Sequence, residues 1–242
     1  MTKRATSSAV SPRYAIVAAA ICALVGLIAV AWPGDAGSRP LRVIVMGQTA
    51  NTPAPTERQA TGRVTGFQSL ADGTIKPFLA PFEGKVISWS ITLSKVRQAD
   101  RAFFNDLFGS PAEARIAVLR EVPDSHPKEF KLVRQSPIQE LNPYFGETVR
   151  FALDHPLTVL EDQVVALTIP TWAPTLAVDI TPDNAWRASR LPDKCGETPD
   201  QARVELPAGH PQQRIKSKKV YACYYKGSRL LYTATVVKKP SG

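Results

Sequence analysis

The chain predicts an all-β domain, an antiparallel β-sandwich of jelly-roll type, behind one N-terminal transmembrane helix. Three observations predict it. The run from Tyr14 to Trp32 carries no charge and follows Lys3, Arg4 and Arg13. From Gly62 onward apolar residues recur at every second position in short segments, the period of a half-buried strand. Turn-forming pairs such as Asp72-Gly73, Glu83-Gly84, Asn142-Pro143 and Lys226-Gly227 separate those segments, as repeated antiparallel reversals require.

The span comes first. Residues 15 to 31, at 1.5 Å of rise each, give a helix of roughly 26 Å, close to the hydrocarbon thickness of a bilayer once the aromatic ends are added. Tyr14 and Trp32 suit the two interfaces, and Pro33-Gly34 stops the helix. Ala29-Val30-Ala31 also fits a signal-peptidase site, so a cleaved leader is the competing reading. The length of the apolar run favours a retained signal anchor. Lys3, Arg4 and Arg13 keep residues 1–13 in the cytoplasm and send the C-terminal domain outside the cell membrane, as a single-pass protein, or as a secreted one if cleavage occurs.

Residues 33–61, centred on Thr52-Pro53-Ala54-Pro55, have the composition of a linker. Only Leu41-Arg42-Val43-Ile44-Val45-Met46 within it is β-prone, as an edge strand or a segment packed near the membrane. Residues 62–242 form the expected β-sandwich. Ile87, Trp89, Ile91 and Leu93 alternate with Ser88, Ser90 and Thr92, and Val149, Phe151 and Leu153 repeat the pattern. Further strands are expected over 63–69, 115–120, 130–134, 163–169, 175–180, 219–225 and 229–237. The segment 163–169 is apolar on both faces and reads as a central strand. Phe103, Phe104, Leu107 and Phe108 share a helical face that Gly109 and Pro111 terminate, giving one short helix. Regular strands with long connections favour a jelly roll. The immunoglobulin alternative lacks a Trp between Cys195 and Cys223.

An oxidising address agrees with Cys195 and Cys223, the two cysteines outside the span, closing a disulfide; two unpaired thiols are the alternative. Net charge is +9, and residues 203–242 hold nine Lys or Arg against Glu205 alone. Arg214, Lys216, Lys218 and Lys219 form a basic patch. Without interleaved aromatics it excludes nucleic acid as the expected partner and reads first as a solvated face, with anionic envelope material as the other reading.

Motifs for chemistry are missing. All three histidines precede proline, and no HExxH, CxxC, GxSxG, GxxxxGK[ST] or GxGxxG occurs, so neither metal nor cofactor is expected. Asp154, Glu161 and Asp162 read as water-facing charges at a strand connection. Tyr221, Tyr224 and Tyr225, with Lys226 and Arg229, alternate between faces and read as packing rather than as a lyase site. No catalytic residue is assigned. The segment Pro170-Thr171-Trp172-Ala173-Pro174 reads as a stiff loop presenting a ring. With Trp186, Tyr144, Asn184 and Arg187 it is the candidate ligand-binding set, a platform for sugar rings; a Trp172 folded onto the core is the other reading.

The strings Leu141-Asn142-Pro143-Tyr144-Phe145-Gly146, Val165-Ala166-Leu167-Thr168-Ile169-Pro170-Thr171-Trp172 and Leu230-Leu231-Tyr232-Thr233-Ala234-Thr235 resemble an uncharacterised family of single-span proteins of high-GC Gram-positive bacteria. The resemblance implies an anchor and an extracytoplasmic β-domain, and no activity. The expectation is a non-catalytic module that binds or organises wall polymer, glycan or another envelope protein. A carbohydrate-active hydrolase or lyase on the same scaffold, and a structural subunit of an envelope complex, are the alternatives.

Overall fold

The computed structural model describes residues 41–196 and 213–238, which belong to one compact unit, residues 40–242. The cytoplasmic arm and the span expected over 14–32 lie outside the described residues. Among the described residues no helix is long and apolar enough to cross a membrane.

The unit is all-β, with antiparallel strand pairs throughout. In chain order the strands are β1 (Val43–Met46), β2 (Thr61–Ala71), β3 (Thr74–Ile75), β4 (Gly84–Thr92), β5 (Glu113–Glu121), β6 (Glu129–Gln135), β7 (Gln139–Glu140), β8 (Thr148–Val159), β9 (Val164–Ala173), β10 (Leu176–Ala177), β11 (Ala185–Ala188), β12 (Lys218–Val220), β13 (Cys223–Lys226), β14 (Arg229–Leu230) and β15 (Tyr232–Lys238). Helix α1 (Gln98–Phe108) lies between β4 and β5. One sheet runs β1-β15-β4-β8, and the other runs β12-β6-β5-β9-β2-β11-β13. A ribbon of β10 and β14 is separate.

Alternation places the core. Trp89, Ile91, Ala234 and Val236 are buried on one face of the smaller sheet, whereas Ser90, Thr92 and Thr233 between them are only partly covered. The two sheets meet where Phe78 stacks on Tyr232, with ring centroids 4.1 Å apart, and where the Tyr232 hydroxyl donates to the Val165 carbonyl. The larger sheet is covered on both faces. Gln68 and Phe67 are neighbours on β2 and point oppositely. Gln68 donates to the Ser228 carbonyl, while Phe67 joins Phe130 and Tyr221 in a second aromatic cluster. β2 and β9 are accordingly buried along most of their length, as the apolar run from Gln163 predicts.

Three expectations change. Residues 41–60 are part of the compact unit and not a separate tether: β1 pairs with β15 as an edge strand, and Thr56 N–H donates to the Leu176 carbonyl at 2.8 Å. The stretch 219–225 splits into β12 and β13. The segment Pro170–Pro174 is not a loop, because β9 continues to Ala173. Pro170 is tolerated there because the β2–β9 register shifts between Gly62 and Val64, so the strand needs no ladder N–H at that point.

The disulfide is present. Cys195 and Cys223 are joined, with Cα atoms 5.2 Å apart, and Cys223 is fully buried at the start of β13.

Candidate functional site

A groove lies on the exposed side of the smaller sheet, at the end where β1 finishes and β8 begins. Its wider part has a volume of about 310 Å³ and a mixed lining: Gln48, Thr52, Ser90, Thr92, Thr148, Arg229 and Thr233 beside the apolar Val45, Gly47 and Leu231 and the Tyr232 ring. A second hollow of about 250 Å³ shares Thr92 and Thr148 with it and adds Glu57, Ser94, Lys95 and Glu147. The two therefore make one continuous depression. Its floor is the strand ends of β4, β8 and β15, and its wall is the segment 47–57.

The floor follows from strand parity. Ser90 pairs with Thr233 on one side and Arg150 on the other, and Thr92 pairs with Thr148. Register partners share a face, so these hydroxyls form a polar patch. Thr92 Oγ1 and Thr148 Oγ1 lie 2.9 Å apart, one donating to the other. The Ser94 hydroxyl is buried and has no hydrogen-bond partner among the described residues. A buried hydroxyl in that state costs about 1–3 kcal/mol unless something supplies the missing bond.

The wall is held by Arg229, which is 3 % exposed. Its guanidinium donates to the Gly47 carbonyl at 3.0 Å, to Thr49 Oγ1 at 2.9 Å and to Asp72 Oδ2 at 3.3 Å. Burial alone would push the Asp72 carboxyl up; the hydrogen bonds from Thr49 and Asn184, and then the Arg229 charge, hold it below the usual carboxylate range. Burial lowers the Arg229 pKa, against the pull of Asp72, yet a guanidinium stays charged in a protein. Gly47 turns the chain off β1 at φ +79°, and a Cβ there would fall 2.1 Å from the Phe78 ring. Only glycine fits.

The aromatic platform expected from the sequence does not form. Trp172 is 0 % exposed, packed between Phe104 and Phe145, and its indole N–H donates to Asn105 Oδ1. Trp186 is 3 % exposed, stacked on Tyr225, and donates to Ser228 Oγ. Asn184 is buried in the turn with Asp72 and Thr181. Tyr144 is half-buried edge-on against Phe151, and Arg187 lies over Tyr224. These five residues are thus dispersed, and four of them hold the fold through ring packing or buried hydrogen bonds. Burial won because each large ring at a strand's inner position gains more from the core than from water.

The phenols are dispersed as well. Tyr221 and Tyr232 are buried, which raises both pKa values well above the ordinary phenol range, and the Tyr221 hydroxyl donates to Gln213. Asp154, Glu161 and Asp162 are exposed and line neither hollow. Among the described residues no cluster of three His, Cys, Asp or Glu is placed to hold a metal ion. Arg214, Lys216 and Lys218 are exposed; Lys219 is half-buried, and burial with Arg214 nearby lowers its pKa.

No family model matches this chain. No curated protein and no solved structure matches it either.

Of the groove residues, only Arg229 had been singled out from the sequence. The readable signal was the Ser88-x-Ser90-x-Thr92 alternation, which marks a hydroxyl face on an otherwise apolar strand. The wall was not readable, since its residues lie in the Pro/Thr-rich stretch and are placed by Arg229 from about 180 residues downstream.

Proposed function

We propose that this chain is a membrane-anchored, extracytoplasmic protein that holds a hydroxyl-rich envelope polymer in the groove and makes no covalent change to it. The observation that carries this reading is the cluster of hydroxyls Ser90, Thr92, Thr148 and Thr233 in one depression, where the Thr92–Thr148 pair keeps acceptor capacity to spare. Hydroxyls both donate and accept, so they suit a ligand whose own surface is hydroxyls. Gln48 and Lys95 add donors at either end. The apolar run at 14–32 and the oxidised cysteines support an address outside the cytoplasm.

Strand order supports a jelly roll as the scaffold. Take β1, β2, β4, β5, β6, β8, β9 and β15 as first to eighth. One sheet then runs first, eighth, third, sixth, and the other runs second, seventh, fourth, fifth. That is the order of two interlocked Greek keys, with β10 to β14 inserted before the last strand.

The test is binding of the full chain, in a non-ionic detergent, to a panel of neutral and charged polysaccharides and wall polymers. The Thr92→Ala/Thr148→Ala pair is expected to weaken binding about thirtyfold, since two hydrogen bonds at about 1 kcal/mol each are lost. Binding that survives this pair unchanged would remove the groove from consideration. A second reading, glycan cleavage, is favoured by one observation: Glu57 and Glu147 line the same hollow. Retaining and inverting hydrolysis both need two carboxylates across the scissile bond. Release of reducing ends by the wild type, abolished in Glu147→Gln, would establish it.

A further inference from the structure

A second surface, away from the groove, carries cations in register. Across three neighbouring strands Arg120 on β5 pairs with Lys131 on β6, and Lys131 pairs with Lys218 on β12. Register partners point to one face with Cβ atoms about 5 Å apart, so the three charges form a row about 10 Å long. Arg120 and Lys218 are exposed and Lys131 is half-buried. None of the three makes an ion pair among the described residues.

Among the described residues, no carboxylate is ion-paired with the row. Glu121, next to Arg120, is engaged by Lys128. Glu129 is the one carboxylate on the strands of the row that shares its face, two residues from Lys131. Lys216 and Arg214 lie exposed in the turn that leads into β12, with Arg214 close enough to Lys219 to lower its pKa further than burial alone does. Lys219, on the opposite face beside Phe130, is outside the row. Like charges placed directly opposite one another on adjacent strands destabilise a sheet. Three cations abreast therefore concentrate positive charge at some cost to the sheet.

We propose that the row of Arg120, Lys131 and Lys218 is a binding site for an anionic phosphodiester polymer, with anionic lipid headgroups as the rival that the test separates. Three donors at strand spacing match a ligand with repeated negative charge better than a single small anion. The row is separate from the hydroxyl groove, whose floor belongs to the other sheet, and neither reading depends on the other.

The experiment titrates soluble polyphosphate against the full chain in a non-ionic detergent. Wild type is compared with Arg120→Gln, Lys131→Gln and Lys218→Gln, singly and together, and with Lys85→Gln/Lys238→Gln, which removes two cations elsewhere. Each single change in the row is expected to weaken binding about fivefold, the effect of one basic side chain at an anionic surface. The remote pair should leave affinity within about twofold. The triple variant should unfold at the same temperature as wild type or higher, because it relieves like-charge repulsion. A second arm adds an anionic lipid to the micelles. If that lipid displaces polyphosphate from wild type, the rival holds and the proposal falls; if it does not, the polymer stands. Equal losses from row and remote variants, or no polyphosphate binding at all, would overturn the proposal.

Discussion

Arg229 and Asp72, 3.3 Å apart, clamp the wall of the groove to the turn after β2. They are about 160 residues apart in sequence, yet the same guanidinium also holds Thr49 and the Gly47 carbonyl. This contact holds the start of the wall, as the Thr56 N–H bond to the Leu176 carbonyl holds its far end.

Asp72→Asn is therefore expected to destabilise the domain by about 2 kcal/mol, because it leaves a buried guanidinium without its counter-charge. Chemical denaturation at neutral pH measures this. The same change should loosen residues 47–57 first, seen as faster amide exchange there than in β4. Uniform exchange across both would contradict the clamp.

Acid should act through the same carboxyl. The Asp72 pKa is depressed in the folded state, so its contribution is complete above the unfolded value of about 3.9 and is lost as pH falls through the lower folded value. Stability curves of wild type and Asp72→Asn should converge below pH about 4. Curves that stay parallel down to pH 2 would show that the carboxyl contributes nothing by ionisation.

Opening the Cys195–Cys223 disulfide frees a closed loop 28 residues in sequence separation. Chain entropy assigns about 3.6 kcal/mol to a loop of that size. Reduction, or Cys195→Ser/Cys223→Ser, should lower unfolding free energy by an amount of this order while leaving groove binding intact, as the groove is built on the other sheet. Loss of binding in a variant that remains folded would tie the two together.

Trp172→Ala should cost about 3–5 kcal/mol, the loss expected for a large buried ring, and should lower stability without a specific effect on any ligand. Thermal unfolding separates this from a binding role, since a surface platform would change affinity and leave the melting temperature alone.

Gly47→Ala should misplace the wall, because the new methyl meets the Phe78 ring and the backbone is held at positive φ. A crystal structure of the variant, or altered exchange over residues 47–57, checks it.

Strand periodicity carried most of the fold. Ile87 to Leu93 and Val149 to Leu153 read correctly because a half-buried strand repeats every two residues, and the helix at Phe103 to Phe108 was marked by its apolar face and Gly109. Phe103 itself is 39 % exposed, so that face is narrower than the pattern implied. β11 was missed, being four residues long and flanked by turn formers, too short to display a period. The site was less legible. Trp172 looked available because its two flanking prolines read as a loop where β9 in fact continues, and Trp186 because its short strand shows no period, whereas the hydroxyls that line the groove are individually ordinary.

The first and last strands lie side by side, with Lys238 N–H donating to the Arg42 carbonyl at 2.8 Å. Both described ends of the unit therefore leave from one end of the smaller sheet, and the groove opens at the other. A pull between Leu41 and a polymer seated in the groove runs along β1. It loads the hydrogen bonds between β1 and β15 in shear, all at once, where a pull across the strands would unzip them one at a time. Under the proposed function, the domain would bear tension along its strands.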